Sequence, residues 1–238
     1  MLFEKYNFFL KEFGIKEDHS LKLFKRLFNL NNVLGLETSH KIADGKIYSK
    51  RLNLWFDSYS EQTLIKIFDF IQEIFSNNNK ALDLSVYNNF AKEINAKNIT
   101  QIICGVDLRD NMEDSRIKIW FVTKNVKLMC DCFSFYNIDE TKLKIINANE
   151  LLFGFDFCLN GKSKLKIYSF YSRKELQNKS IQKTLLSVFN EKCFFLINLS
   201  KSVHISYSSK AVIIHFKPID SDKFIGQIND KYLIDIFQ

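Results

Sequence analysis

Two stretches of the chain repeat one pattern of residue types. Gly105-Val106-Asp107-Leu108 leads to Ser115-Arg116-Ile117-Lys118-Ile119-Trp120, and Gly154-Phe155-Asp156-Phe157 leads to Ser163-Lys164-Leu165-Lys166-Ile167-Tyr168. Each copy reads as strand, turn, strand. Successive side chains of a strand point to opposite faces, so the cations of each second strand share a face with the ring that follows them, while Ile and Leu take the other. Arg51 and Trp55 repeat this cation-then-ring order on an earlier strand. A face that offers cations to an anion and ring faces to a carbocation suits chemistry on an organic diphosphate.

The elements that carry these faces recur with a period of about fifty residues, helices followed by a hairpin. Leu and Phe at helical spacing predict helix over residues 2–30. A strand pair follows at Gly35–Ile42 and Ile47–Phe56 around an Asp44-Gly45 turn. Helices are predicted over 60–76 and 83–95, with Ser60 and Asp83 as N-caps. Strands at 100–108 and 115–123 flank Arg109-Asp110-Asn111. Helical segments at 124–136 and 140–152 precede strands at 153–159 and 163–171 around Asn160-Gly161. A helix over 173–190, a fourth strand pair at 193–199 and 210–217, and a helix over 219–237 complete the series. Alternating strands of this kind form an antiparallel sheet whose apolar face packs under helices. The charged face is solvated if the sheet stays open and lines a lumen if it closes. Large rings on three hairpins favour the lumen, because exposed they would leave apolar area in water.

With 238 residues, one proline and seven glycines, the chain shows no linker and is expected to be a single domain over 1–238. Its formal charge of +7 asks for an anionic partner, and nucleic acid, acidic lipid and phosphorylated metabolites all meet that demand. Five cysteines (Cys104, Cys130, Cys132, Cys158, Cys193) form no CxxC pair and read as reduced, buried thiols. His40, His204 and His215 have no metal spacing, so no protein-held metal is expected. No apolar run reaches the eighteen or so residues of a membrane span, and the N-terminus lacks a secretory pattern; a cytoplasmic protein without a membrane partner is expected.

Three motifs in order, Leu36-Glu37-Thr38-Ser39 with Lys41-Ile42 and Arg51, Gly105 to Asn111 with Ser115 and Lys118, and Gly154 to Phe157 with Gly161 and Ser163, resemble the cyanobactin peptide prenyltransferases over residues 33–205. The resemblance implies an α+β fold of ABBA type, an antiparallel β-barrel of about eight strands surrounded by α-helices. The family continues through one more strand pair, so the implied barrel is incompletely closed or is completed by a second copy of the chain. It also implies transfer of a dimethylallyl (C5) group from dimethylallyl diphosphate to a side chain of a ribosomally made, cyclic peptide, with Mg2+ held through the diphosphate.

By position, Glu37 matches the family's catalytic glutamate, which takes the acceptor's proton, and Arg51 and Lys118 match cations that hold the diphosphate. Arg51 can grip phosphate oxygens bidentately and Lys118 is a point charge beside it. Arg116 and Lys166 are the next diphosphate-binding candidates. Trp55, Trp120 and Tyr168 are candidates to shield the prenyl cation, at roughly 0.5–2 kcal/mol per ring. Each has a plainer reading: solvated surface charge for the cations, ordinary packing for the rings, and a salt bridge to Lys41 or Lys50 for Glu37. Two further functions compete. One is a non-catalytic, shortened relative that binds peptide or diphosphate. The other is nucleic-acid binding, which is set aside because no stretch resembles the aromatic signature of an RNA-recognition sheet.

Overall fold

The computed structural model describes residues 2–39, 41–43, 46–48, 50–92, 96–123, 151–189, 191–207 and 212–228. Strands β1 (Val33–Thr38), β4 (Arg51–Phe56), β5 (Ile99–Asp107), β6 (Arg116–Thr123), β7 (Leu151–Cys158), β8 (Ser163–Ser172), β9 (Ser200–Tyr207) and β10 (Val212–Pro218) are hydrogen-bonded in that order. Strands β2 (Lys41–Ala43) and β3 (Lys46–Tyr48) pair only with each other. The defined registers are all antiparallel. Helices α1 (Leu2–Glu12), α2 (His19–Arg26), α3 (Glu61–Asn77) and α4 (Ser85–Ala91) belong to the first half of the chain. Two compact units divide it: Met1–Lys41, Ile47–Thr123 and Phe153–Leu165 form one, and Ile42–Lys46, Lys124–Leu152 and Lys166–Gln238 the other.

In the first unit the period-two pattern sorts the sheet as expected. Leu52, Leu54 and Phe56 of β4, Ile102, Cys104 and Val106 of β5, Ile117, Ile119 and Phe121 of β6, and Phe153, Phe155 and Phe157 of β7 are all buried on one face. Helix α4 drives Phe90 into that layer, its ring 4.8 Å from Phe153 and 4.9 Å from Phe155. Tyr87 reaches Phe155 at 5.4 Å, and Phe68 of α3 reaches Phe157 at 6.3 Å. Full burial of such a side chain contributes roughly 1.5–3 kcal/mol, so this ring layer fixes which face of the sheet the helices cover. The opposite face is therefore left to Arg51, Asp107, Arg116 and Lys118.

Helix ends follow local chemistry. Ser60 caps α3 by accepting from Thr63 N, as the sequence predicts. Asp83 accepts from Ser85 N, although the cap position itself falls on Leu84. The single helix predicted over residues 2–30 is instead α1 and α2, because Gly14 adopts φ +58° and Asp18 starts a new helix by accepting from Leu21 N. The helix predicted over 173–190 breaks in the same way into Arg173–Leu176 and Lys179–Leu186, with Asn178 capping the second.

In the second unit, Ile167, Ser169 and Tyr171 of β8 share a buried face with Val203, Ile205 and Tyr207 of β9. One prediction is overturned here. Residues 193–199 were expected as strand, but Glu191–Asn198 is helical and the strand is Ser200–Tyr207. A short apolar run such as Phe194-Phe195-Leu196-Ile197 fits either period. The helix wins by burying Leu196 and Ile197 while Phe195 stays exposed, and the Ser/Val/His/Ile alternation that follows makes the strand. The helix expected at 124–136, the one expected at 140–152 up to residue 150, the Asp44-Gly45 turn, Cys130, Cys132 and the end of the last helix lie outside the described residues, and Leu151 and Leu152 already belong to strand β7. Cys104 and Cys158 are both buried.

Candidate functional site

Three rows of residues cross the polar face of the first unit, each set by strand register. Arg51, Asp107 and Arg116 are direct partners across β4, β5 and β6. The next row is Glu37, Asn53, Gly105 and Lys118, and the third is Gly35, Trp55, Ile103 and Trp120. The sheet thus ranks the face from charged to aromatic over four residues of each strand from β4 to β6.

Asp107 is the hub of the charged end. Its Oδ2 lies 3.5 Å from Arg51 Nε, 3.2 Å from Arg116 Nε and 3.8 Å from Lys118 Nζ, and its Oδ1 lies 2.7 Å from Arg109 Nη2. Asp156 of β7 receives Arg116 Nη1 at 3.3 Å and Lys118 Nζ at 3.8 Å. Among the described residues, four cations thus meet two carboxylates, a formal surplus of two positive charges. Asp107 is 2% exposed, Asp156 1%, Lys118 4% and Arg109 8%, so these four are not solvated surface charges, while Arg51 and Arg116 are half-buried.

Buried charge raises the question of where the donors go. Arg51 Nε, Arg116 Nε and both terminal nitrogens of Arg109 are buried with no directed hydrogen bond among the described residues; their contacts with Asp107 are ion pairs off the hydrogen-bond direction. Burial pulls the Arg109 guanidinium below its ordinary range, against the pull of Asp107. For Arg116, burial is outweighed by Asp156 and Asp107, which hold it above its ordinary range. Among the described residues, Asp107 Oδ1 and Asp156 Oδ1 also lack a directed hydrogen bond, so donors and acceptors are both under-bonded. The surplus of cations among those residues gives the cluster the chemistry to accept an anion.

The aromatic end is anchored from both sides. Trp55 Nε1 donates to Glu37 Oε2 at 3.2 Å, so the indole and the carboxylate are joined. Trp120 is buried, and Lys118 Nζ stands 5.4 Å from its ring centre. Gly105 makes this packing possible: a Cβ there would collide with Asn53 Oδ1 and stand 2.9 Å from Trp120 Cζ3. Lys166 and Tyr168 are on β8 in the second unit, where the Tyr168 ring lies 5.7 Å from that of His215. His215 Nε2 is in turn 2.9 Å from Ser206 Oγ.

The sequence analysis gave Asp107, Asp156 and Arg109 no role. The available signal was the Asp at the same place in both Gly-x-Asp repeats and an Arg of matching parity two residues on. By contrast, a surface groove of about 450 Å³ lined by Ile65, Phe68, Leu82, Leu84 and Tyr87 includes Glu61 and Asp69 but no cation, and does not suit an anion.

A family model described as a family of unknown function (DUF5838) matches residues 6–226. The chain belongs to this family. No curated protein matches it. Among solved structures, it is similar to 6-dimethylallyltryptophan synthase from Micromonospora olivasterospora in complex with DMASPP and Trp, with a TM-score of 0.52 and 10% identity over 77% of this chain and 60% of that one. The chain spans about 60% of the length of that enzyme. The likeness carries the fold, so this member of the family has the α+β, ABBA-type architecture of antiparallel strands and helices that its sequence predicts. No helix among the described residues is long and apolar enough to cross a membrane.

Proposed function

We infer that the chain transfers a prenyl group from an allylic diphosphate to an acceptor, and that the donor is dimethylallyl diphosphate and the acceptor a peptide side chain. The observation that supports this reading best is the buried +2 cluster beside Trp55 and Trp120, in a fold shared with a dimethylallyltryptophan synthase. In the reaction the bond from C1 of the allyl group to oxygen breaks, and its electron pair leaves with the diphosphate. Arg51, Arg116 and Lys118 meet that developing charge with fixed cations. The indoles of Trp55 and Trp120 face the allylic cation and exclude water. The acceptor atom bonds to C1 and gives its proton to Glu37, whose carboxylate Trp55 holds in place. Asp107 and Asp156 face cations and do not fit as direct ligands of a divalent ion; a magnesium ion would be held through the diphosphate, where it would help neutralise the leaving charge.

Incubation with labelled dimethylallyl diphosphate, magnesium and a panel of linear and cyclic peptides is expected to give peptide heavier by one prenyl unit and an equal amount of pyrophosphate. Arg51→Ala and Lys118→Ala should abolish both with the circular dichroism spectrum retained. Donor binding without mass gain supports the non-catalytic reading, and failure to bind the donor removes both.

A further inference from the structure

We propose that Arg109 is the residue that makes the anion site select a diphosphate over a monophosphate, an inference that rests on the reading of the cluster as a diphosphate site. Asp107 divides the cations into two groups. Its Oδ2 faces Arg51, Arg116 and Lys118 at 3.2–3.8 Å, whereas its Oδ1 faces only Arg109 among the ion pairs described, at 2.7 Å. A single phosphate is served by the three-cation side. A second phosphate linked to it extends past the carboxylate, to the side where Arg109 waits.

The guanidinium is prepared for that second group. Its carbon sits 3.8 Å from the centre of the Tyr48 ring, so the plane of the fork is fixed by stacking. The backbone beneath it is pinned as well: Arg109 N donates to Ser115 Oγ at 2.8 Å and Leu108 N donates to the Lys50 carbonyl at 2.9 Å. With Ser115 wholly buried, the turn cannot swing the side chain out without breaking those bonds. What remains is a rigid, buried fork: Nη2 faces Asp107 Oδ1 at 2.7 Å, and Nη1 has no directed hydrogen bond among the described residues. A phosphate that takes Nη1 and exchanges with the carboxylate at Nη2 meets a planar pair of donors matched to two of its oxygens.

The test is calorimetric titration of the full chain with inorganic pyrophosphate and, separately, inorganic phosphate, before and after Arg109→Lys, which keeps the charge and removes the fork. The wild-type chain should bind pyrophosphate more tightly than phosphate. Arg109→Lys should weaken pyrophosphate by about tenfold, a shift of one decade in Kd, and leave phosphate unchanged. Equal weakening of both anions, or of neither, overturns the role of Arg109 while leaving the anion site standing. Binding of neither anion by the wild type instead removes the underlying diphosphate reading. If Arg109→Lys does not fold, Tyr48→Leu, which removes the stacking ring and keeps the guanidinium, must show the same selective loss; retained selectivity there overturns the proposal.

Discussion

Replacing Asp107 with Asn keeps the side chain's shape and removes one negative charge from the centre of four cations, raising the surplus from +2 to +3. Asp107 is 2% exposed, and the side chains of its partners Arg51, Arg109, Arg116 and Lys118 are 16%, 7%, 21% and 6% exposed, so water cannot take over the lost compensation. The small values typical of surface pairs therefore do not apply. Removing one member of a buried ion pair costs about 3–5 kcal/mol. The amide oxygen of Asn still accepts from one cation, which places the expectation at the lower end, about 3 kcal/mol. For a chain of this size each kcal/mol lowers the melting midpoint by about 2–4 °C, so Asp107→Asn should melt roughly 6–12 °C below the wild type.

A second measurement on the same variant ties stability to the anion site. Saturating pyrophosphate stabilises a protein that binds it by about 2.7 kcal/mol at one hundred times Kd. In Asp107→Asn the anion also replaces the missing negative charge, so its affinity rises and the melting shift it produces should exceed that of the wild type. Scanning calorimetry with and without pyrophosphate reads both effects. A midpoint lowered by less than about 2 °C would refute the hub role of Asp107, since that is less than 1 kcal/mol. A pyrophosphate shift no larger than that of the wild type would refute the assignment of the surplus charge to an anion.

Gly105→Ala places a methyl against Asn53 Oδ1, 2.9 Å from Trp120 Cζ3 and 3.0 Å from the Leu52 carbonyl, which as backbone cannot yield; we expect a loss of about 1–3 kcal/mol and a shifted tryptophan emission, and an unchanged spectrum and melting midpoint would show that Trp120 does not rest on Gly105. Asp83 accepts from Ser85 N, Ser163 N and Ser163 Oγ, and these bonds, those of Ser85 foremost, hold its carboxyl at about 2 against an ordinary value of 3.8. A depressed carboxyl stabilises the fold above its unfolded value and loses that contribution as the pH falls through the folded one. The stability gap between wild type and Asp83→Asn should therefore be full above about pH 4 and shrink towards pH 2; a gap that is constant across this window in urea titrations would count against the tie between α4 and β8.

The alternation within each strand was legible because a period of two needs only a few residues to declare itself, and Arg51, Trp55, Arg116, Lys118 and Trp120 fall on one face as their spacing requires. Ser60 could be identified as a cap from its place before an amphipathic run. Asp107 and Asp156 were visible as repeated letters but not as a hub, because their role depends on the register between β4, β5 and β6 and on contacts from β7, which no single strand encodes. Arg109 was hidden for a related reason: only the turn, tied by Ser115 and Lys50, folds it back onto Asp107. The strand expected at 193–199 failed because four consecutive apolar residues carry no period, and burial of Leu196 and Ile197 decided the matter from outside the segment.

The carboxylates make physical sense of a cationic site that must fold empty. Two buried and two half-buried cations alone would repel one another and lose hydration, at a cost that rises steeply as the local dielectric falls. Asp107 and Asp156 halve the surplus and hold the donors in place. The contacts of Arg51 and Lys118 with Asp107 are at 3.5–3.8 Å, longer than a directed charge-assisted bond, so a phosphate can take those donors without first breaking a strong pair. Tightening those pairs would gain stability and lose affinity; removing the carboxylates would do the reverse. On the proposed reading, the long Arg51 and Lys118 pairs are the compromise that lets one cluster serve both the fold and an incoming anion.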